Sequence, residues 1–321
     1  IPSKAAFTAS RRQALYGLDG VPLDKLDTPH VVKGLAFLPA APACEDPGGP
    51  AHLATAGVDY RLRLLGPPPF ETQIHKRSVS TDPLVRRLAP VRTHVRGPCE
   101  WMALALTDYG ALELFDRSGT LLWESPGDVR GLDLAASGDG LLAVASLGSQ
   151  MQAFVIMADP SPQLQAVPGL VGCGAVAVAP SAEELIACAA GPEVAIAGLD
   201  GHLVASLPAF GPSGPLGRSA TREHLTDLSW SPDGRLLAVG TRLGRTLIWA
   251  APSRGKRAEI LAIMSDHRER VAALAWDPSS RWLVTGSWDR MIRPRDLGLL
   301  DMSAAGLRQH LLPLLAYRER P

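Results

Sequence analysis

The sequence predicts an all-β protein in which four-stranded antiparallel sheets repeat along the chain and stack into a ring. Residues 225–240 align without gaps on residues 271–286, so that Trp230 corresponds to Trp276. Each copy alternates apolar and polar residues, turns after Pro232 or Pro278, and alternates again, as two antiparallel strands do. The 31 glycines and 28 prolines among 321 residues suit a chain with many tight turns.

The same order of strands recurs upstream with weaker similarity. First strands are predicted to begin near residues 32, 85, 129, 175, 225 and 271. An Asp-Gly pair follows the third strand at Asp19-Gly20 and Asp200-Gly201, where a turn uses an Asx-type hydrogen bond and often a positive φ. Antiparallel sheets repeating at this period bury their faces by stacking on one another, which predicts a closed ring.

Counting these repeats predicts one domain over residues 1–321, a β-propeller most simply built of seven four-stranded blades. The N-terminal strands lack a first strand, and residues 311–318 would supply it, so the closing blade is shared by the two chain ends. Six blades is the alternative, and a C-terminal helix over residues 303–317 is opposed by Pro313. The predicted blades are 1–28 with 308–321, 29–82, 83–126, 127–168, 169–215, 216–265 and 266–307.

The charge balance limits the classes of partner. The 32 basic and 32 acidic residues cancel, which argues against a non-specific binder of nucleic acid or of a membrane surface, because both require a cationic field. No apolar run approaches the roughly 18 residues that a membrane-spanning helix needs. The sequence therefore predicts no membrane span. No secretory leader is visible, although the chain begins at Ile1 rather than at a methionine.

The cysteines are few and scattered. Cys44, Cys99, Cys173 and Cys188 form no C-x-x-C pair and have no nearby histidine pattern. This spacing predicts buried or incidental thiols rather than a disulfide framework or a zinc site. An intracellular location, in the cytoplasm or the nucleus, follows as an expectation.

The C-terminal repeat resembles a WD repeat. Asp266-His267 precedes its first strand, and its second strand runs through Thr-Gly-Ser-Trp to Asp289. In that family a histidine, a Ser or Thr on the second strand, a turn aspartate and a tryptophan on the third strand form a buried hydrogen-bonded network. The resemblance implies such a network for His267, Thr285 or Ser287, and Asp289, with Arg295 at the tryptophan position.

The other repeats depart further from the family pattern. The preceding repeat keeps Trp249 but has Leu243 at the aspartate position and Thr221 at the histidine position. The repeat around Asp59 keeps only the turn aspartate. Because a partly satisfied polar network costs stability, such blades are expected to depend on apolar packing between neighbouring sheets.

Catalytic motifs are absent from the sequence. It contains no nucleophile elbow, no zinc-protease histidine pair and no phosphate-binding loop. The sequence therefore predicts no enzyme, no catalytic residue, no metal and no cofactor.

The resemblance implies that partners dock on the rim formed by the turns between second and third strands. Exposed Trp, Tyr and Arg dominate protein interfaces. The candidate partner-binding residues are Trp288, Arg290, Arg242, Arg245, Tyr60 and Arg61. For Trp288, packing against the adjacent blade is the alternative.

The predicted function is a non-catalytic protein–protein interaction scaffold, a subunit of a multiprotein assembly whose partners are one or more proteins. The first alternative is an RNA- or chromatin-associated propeller that binds through arginine-rich loops. An enzyme or small-ligand propeller is less favoured, because it needs polar side chains at the central channel. First strands such as residues 175–178, 225–228 and 271–274 are nearly all apolar or small. Loops 40–51 and 67–82 are long enough to contain partner-binding residues, and disorder is the alternative. The sequence does not decide between the two.

Overall fold

The computed structural model shows an all-β fold in which each described strand pairs only with its neighbours in sequence. It describes residues 5–7, 12–16, 22–27, 32–38, 52–57, 61–65, 74–80, 85–93, 100–107, 112–116, 119–125, 131–137, 142–148, 150–157, 162–180, 185–209, 224–252, 259–277 and 279–298. Within these residues, 26 strands form seven antiparallel sheets, each a simple meander.

The first three sheets occupy the N-terminal part of the chain. The first has three strands, β1 (Ala5–Phe7), β2 (Arg12–Tyr16) and β3 (Pro22–Asp27). The second has four, β4 (Val32–Leu38), β5 (His52–Gly57), β6 (Arg61–Leu65) and β7 (Ile74–Ser80). The third also has four, β8 (Val85–Thr93), β9 (Glu100–Thr107), β10 (Leu112–Phe115) and β11 (Leu121–Glu124).

The last four sheets follow in the same way. The fourth is β12 (Gly131–Ala136), β13 (Leu142–Leu147), β14 (Gln152–Met157) and β15 (Gln163–Ala166). The fifth is β16 (Cys173–Val178), β17 (Ile186–Ala190), β18 (Glu193–Ala197) and β19 (Leu203–Pro208). The sixth is β20 (Leu225–Trp230), β21 (Leu236–Thr241), β22 (Thr246–Ala250) and β23 (Ile260–Met264). The seventh is β24 (Val271–Trp276), β25 (Trp282–Ser287) and β26 (Ile292–Asp296).

The propeller architecture is confirmed, but the blade count is not. The described residues form five complete four-stranded blades, not the seven or six that were predicted, because the first and seventh sheets have three strands each. Among the described strands of the seventh sheet, β26 is the outermost, and its Pro294 has no N–H to donate to a further strand. Residues 311–318, predicted to complete the closing blade, lie outside the described residues.

The first strands of consecutive sheets adjoin one another from β4 through β8, β12, β16 and β20 to β24. They are therefore the inner strands of the blades. Each carries a register shift after its first paired residue. In β20, for example, Leu225 pairs with Thr241 and Asp227 with Gly240. Such a bulge increases the local twist and redirects the side chains that follow it.

The apolar core lies in layers between successive sheets. Leu112 and Leu114 of β10 pack towards the fourth sheet, whereas Phe115 packs towards the second. This alternation follows from the two-residue period of a strand, which gives each sheet two apolar faces. A large layer joins the fifth and sixth sheets and contains Ile196 and Trp249.

The structure corrects the expectation for two of the cysteines. Cys173 and Cys188, on neighbouring strands β16 and β17, form a disulfide with a Cα–Cα distance of 5.1 Å. The register shift between Cys173 and Ala175 moves Cys173 off its straight pairing and brings it diagonal to Cys188. The cysteines were predicted to be buried or incidental thiols. Both side chains are buried, but the pair is joined, because a sequence spacing does not reveal the bulge that brings the two cysteines together. Cys44 and Cys99 lie outside the described residues.

Across the ranges that the structure describes, there is no helix with the length and hydropathy to cross a bilayer.

Candidate functional site

A buried polar network holds the turn between β25 and β26. The His267 ring is buried, with Nε2 2.7 Å from Thr285 Oγ1 and Nδ1 3.0 Å from Asp289 Oδ2. Because a carboxylate only accepts, Nδ1 carries a proton in this contact, and in the neutral ring Nε2 accepts from the Thr285 hydroxyl. Of the two predicted hydroxyls, Thr285 is the one that meets the histidine. Ser287 Oγ instead donates to Glu269 O at 3.0 Å.

Asp289 is the acceptor that organises this turn. Its Oδ2 also accepts the Arg268 N–H at 3.0 Å, and its Oδ1 accepts the Met291 N–H at 2.9 Å. Burial on its own would raise the pKa of Asp289. The hydrogen bonds from Arg268, His267 and Met291 outweigh it and hold the pKa well below the ordinary value. The carboxylate is therefore ionised, and it binds the histidine segment to the turn that follows β25.

At the tryptophan position of this repeat, Arg295 makes a different kind of contact. Arg295 forms a close ion pair with Asp266, the residue before His267, and both side chains are partly exposed. The third strand is thus tied to the start of the repeat by charge rather than by a buried indole.

The sixth sheet has the opposite arrangement. Trp249 is buried in the layer shared with the fifth sheet, beside Leu237 and Leu247. Leu243, at the aspartate position, is 48% exposed. Thr221, Asp59 and Tyr60 lie outside the described residues, and Arg61 begins strand β6.

The turns of the last two sheets meet on one segment, residues 267–270. The Trp288 N–H donates to Arg270 O at 3.0 Å. Gly244, with φ +81°, lies so close to this segment that a Cβ on it would be 2.2 Å from His267 O. A side chain at this position is therefore excluded twice, by its backbone conformation and by the neighbouring carbonyl. We call residues 241–245, 266–270 and 287–292 the Trp288 rim.

Trp288 is the most exposed of the large apolar side chains that the structure describes, at 67%. The Arg270 guanidinium lies 5.4 Å from the centroid of its ring, within the range of a cation–π contact. Leu243 and Met291 on the same rim are each 48% exposed. Of the candidate arginines, Arg242 and Arg290 are exposed and Arg245 is half-buried.

A second polar group lies on the inner strands and was missed by sequence reasoning. Arg87 Nε of β8 donates to Asp133 Oδ1 of β12 at 2.9 Å, and Asp133 Oδ2 accepts the Val176 N–H of β16 at 3.0 Å. In the same manner Asp227 Oδ2 of β20 accepts the Leu274 N–H of β24 at 2.7 Å. Of the first strands expected to be nearly all apolar or small, residues 225–228 include Asp227, whereas Arg87 and Asp133 lie on first strands that the expectation did not name.

These three residues share one structural position, which is the signal that could have revealed them. Each of them lies two residues after the first paired residue of its strand, on the far side of the bulge. Burial first, and then the charge of Asp133, raise the pKa of Asp227 to about 7, against the opposing effect of Arg87. The Asp133 charge is also the main cause that raises the pKa of Arg87. Both aspartates are thus acceptors for the inner edge of the next sheet.

Among the described side chains, no three His, Cys, Asp or Glu residues are grouped so that they could hold a metal ion.

Meander sheets whose inner strands adjoin in succession define the protein as a β-propeller. Residues 217–249 and 258–293 match the family described as WD domain, G-beta repeat. These two segments of the chain are therefore similar to WD repeats, as the resemblance of the C-terminal repeats implied.

Three relatives illustrate the similarity. The chain is 39% identical over 88 residues to Protein FIZZY-RELATED 2 of Arabidopsis thaliana, covering 27% of this chain and 17% of the relative. It is 29% identical over 86 residues to Cell division cycle 20.1, cofactor of APC complex, of the same plant, covering 27% and 18%. It is 30% identical over 71 residues to the B subunit of Chromatin assembly factor 1 of Mus musculus, covering 22% and 12%. The matched region spans less than a fifth of each relative.

Proposed function

We propose that this chain is a non-catalytic protein–protein interaction scaffold, a subunit of a multiprotein assembly that docks partners on the Trp288 rim. The observation that carries the proposal is the combination of exposure and fixation at Trp288. Its side chain is 67% exposed, while its backbone and its ring are both held by Arg270. A fixed aromatic side chain loses little conformational freedom on binding, and tryptophan is enriched among residues that dominate interfaces.

The named relatives support a role in assemblies. One is a cofactor of the APC complex and another is a subunit of chromatin assembly factor 1. Those names describe the relatives, and the similarity extends over only a small part of them. For this chain, the same kind of role is the proposal.

The inner-strand charges favour a structural role over catalysis. Asp133 uses both carboxylate oxygens, one on Arg87 and one on the Val176 N–H. Asp227 binds the Leu274 N–H. These contacts satisfy edge N–H groups that have no strand partner at the centre of the propeller. A non-catalytic protein therefore remains the proposal.

An intracellular location in the cytoplasm or nucleus is part of the proposal, supported by the cell-division and chromatin names of the relatives. The Cys173–Cys188 disulfide opposes it, because disulfides persist mainly in oxidising compartments. Trapping thiols with a maleimide in acid-quenched cells tests this point. If the pair is also oxidised in the protein taken directly from the cells, an intracellular location is contradicted.

The docking role is tested by affinity purification with mass spectrometry, comparing the native chain with a variant carrying Trp288→Ala and Arg290→Ala. The expected result is that a defined set of proteins is lost with this variant. The matched control carries Leu203→Ala and Arg235→Ala, which alter an exposed leucine on β19 and an exposed arginine in the β20–β21 turn. Partners that are retained by both variants would contradict docking on this rim.

An RNA- or chromatin-associated propeller is the second candidate, because several exposed arginines surround Trp288. A nucleic-acid ligand is therefore a necessary comparison in a binding test of the rim.

A further inference from the structure

The Trp288 rim presents arginines that differ from those at the other end of the same two sheets. At the far end, Arg235 pairs with Asp233 at 2.8 Å and Arg281 pairs with Asp296 at 2.6 Å. On the rim, the exposed side chains of Arg242, Arg268 and Arg290 have no carboxylate partner among the described residues. The two ends therefore carry different charge, although they belong to the same sheets.

The acidic residues of the rim leave most of this charge uncompensated. Asp289 directs its oxygens to His267, Arg268 N–H and Met291 N–H, and its side chain is buried. Asp266 is occupied by Arg295. Glu269 is exposed, and it is a single carboxylate among three guanidinium groups. The rim is thus a cationic surface on a chain whose net charge is zero.

The apolar part of the rim lies within this charged surface. Leu243 and Trp288 stand on the two turns that pack against residues 267–270, and Met291 follows in the same turn as Trp288. All three side chains are about half or more exposed. The surface therefore combines three exposed apolar side chains with arginines on each of its three segments.

The turn that presents Trp288 is held in one conformation. Arg290 has φ 67°, a left-handed conformation that non-glycine residues seldom adopt. The Arg290 N–H donates to Ser287 O at 3.1 Å, and the Ser287 N–H donates to Met291 O at 3.2 Å. Backbone strain that the surrounding hydrogen bonds maintain is common at binding sites.

From this arrangement we infer that the Trp288 rim binds an acidic protein segment that carries an apolar anchor residue. The anchor packs between Leu243 and Trp288, and carboxylates beside it pair with Arg242, Arg268 and Arg290. This inference rests on the proposed scaffold function and adds the chemistry of the partner. Charge complementarity of this kind chiefly sets specificity and association rate.

A protein segment fits this surface better than single-stranded nucleic acid does. Sequence-independent binding of single strands uses a groove with successive aromatic platforms. Here Trp288 is the exposed aromatic of the rim, and Arg270 lies over its ring. Leu243 and Met291 offer apolar contact but no platform on which a base stacks.

The test selects peptides from a random library displayed on phage, using the purified full chain. The expected selection is enriched in Asp and Glu around one Trp, Phe or Leu. A rim variant with Arg242→Gln, Arg268→Gln and Arg290→Gln should bind a selected, fluorescein-labelled peptide roughly tenfold more weakly, since three exposed ion pairs are lost and each contributes about a twofold factor. The control variant, with Arg235→Gln and Arg281→Gln at the far end, should bind it as the native chain does.

A second variant separates charge from folding. Replacing the same three rim arginines by lysine keeps the charge and should keep most of the affinity, and thermal unfolding of all variants should match the native chain. Selection of basic or uncharged peptides overturns the inference, as does equal binding of an acidic peptide to the rim variant. Tighter, arginine-dependent binding of a fluorescein-labelled oligouridine overturns it in favour of nucleic acid.

These outcomes are distinct from failure of the scaffold proposal. If cellular partners depend on Trp288 but no acidic peptide is selected, the scaffold stands and this inference fails. If neither the capture of cellular partners nor the binding of a peptide depends on the rim, the scaffold proposal and this inference both fail.

Discussion

The sixth and seventh sheets have the same sequence pattern but are stabilised in different ways. In the sixth sheet, Trp249 is buried in a continuous apolar layer against the fifth sheet. In the seventh, β26 alternates exposed and half-buried residues, and the order of the blade comes from His267, Thr285 and Asp289. One sheet keeps the tryptophan of the WD repeat and the other keeps its polar residues.

The surroundings of the two sheets explain this division. The sixth sheet has a fourth strand, β23, and apolar neighbours on both faces. The seventh sheet has three strands in the described part of the chain, and its layer with the sixth sheet is small. Polar contacts supplement that layer. Thr226 Oγ1 donates to Val271 O at 2.6 Å, and Trp276 Nε1 donates to Ser229 O at 3.0 Å.

The comparison indicates that the polar network and the apolar layer are alternative ways to fix a blade. Where both faces are covered, the loss of the histidine and aspartate is tolerated. Where coverage is small, hydrogen bonds that fix the turn replace missing apolar burial. Disrupting the apolar layer and disrupting the polar network should therefore lower the unfolding free energy by different amounts.

The largest loss of unfolding free energy is expected from Trp249→Ala. Removing this buried indole leaves a cavity in the layer between the fifth and sixth sheets, which costs about 3–5 kcal/mol of unfolding free energy. Urea unfolding followed by circular dichroism measures the effect. Trp249→Phe, which keeps most of the apolar volume, is the control and should lose less. A loss below about 1 kcal/mol for the alanine variant would show that the sixth sheet does not depend on this side chain.

A smaller loss is expected from His267→Ala. This change removes two buried hydrogen bonds and leaves Thr285 and Asp289 partly unsatisfied, at a cost of about 1–3 kcal/mol. The folded-state pKa of Asp289 is lowered, so the stability that it supplies is present above about pH 4 and is lost as the pH falls. Unfolding at about pH 7 and at about pH 3 should therefore show a smaller acid-induced loss of unfolding free energy in the variant.

The control for this prediction is His224→Ala, because His224 is exposed. It should change the unfolding free energy by less than about 0.5 kcal/mol. Equal losses for the two histidines would contradict a stabilising network in the seventh sheet.

The repeats were predictable from the sequence because they depend on local pattern. Alternation of apolar and polar residues and the turn residues around Pro232 locate β20 and β21 within a few residues. The C-terminal network was predictable for a similar reason. His267, Thr285 and Asp289 lie within one repeat, and the spacing of the WD repeat relates them.

The contacts that the sequence did not reveal join different sheets or depend on a bulge. Asp227 and Leu274 are 47 positions apart, and Asp133 and Val176 are 43 apart. Such contacts depend on how two blades stack, which a strand pattern does not specify. The Cys173–Cys188 disulfide likewise depends on the register shift in β16. No local signal marks that shift.

The interface between the sixth and seventh sheets should depend on pH through Asp227. Its folded-state pKa of about 7 lies above the ordinary value of 3.8. Protonation therefore favours the folded state, and this contribution is complete below about pH 4 and is lost as the pH rises through 7. Asp227→Asn keeps an acceptor for the Leu274 N–H and removes the titration. Since each pKa unit corresponds to about 1.4 kcal/mol, the variant should be more stable than the native chain by up to about 4 kcal/mol near pH 8, and about equally stable near pH 4.

Urea unfolding of both proteins across this range measures the difference. Burial and Glu124 raise the pKa of Glu113 to about 7 as well. Glu113 titrates in both proteins, so only the difference between them reports on Asp227. A difference that stays constant with pH would mean that Asp227 does not titrate in this range.

The smallest effect on stability is expected from Trp288→Ala. This variant distinguishes a binding role of the rim from a packing role in the blades. Trp288 is largely exposed, and the contact that its ring makes with Arg270 contributes about 0.5–1 kcal/mol at an exposed site. The variant should therefore unfold within about 1 kcal/mol of the native chain while losing partner capture. Because Trp249 and Trp288 are the same residue type in adjacent blades, their alanine variants form a matched pair. A loss at Trp288 as large as that at Trp249 would place its indole in the packing of the seventh sheet, and the rim would then be a structural element rather than a binding surface.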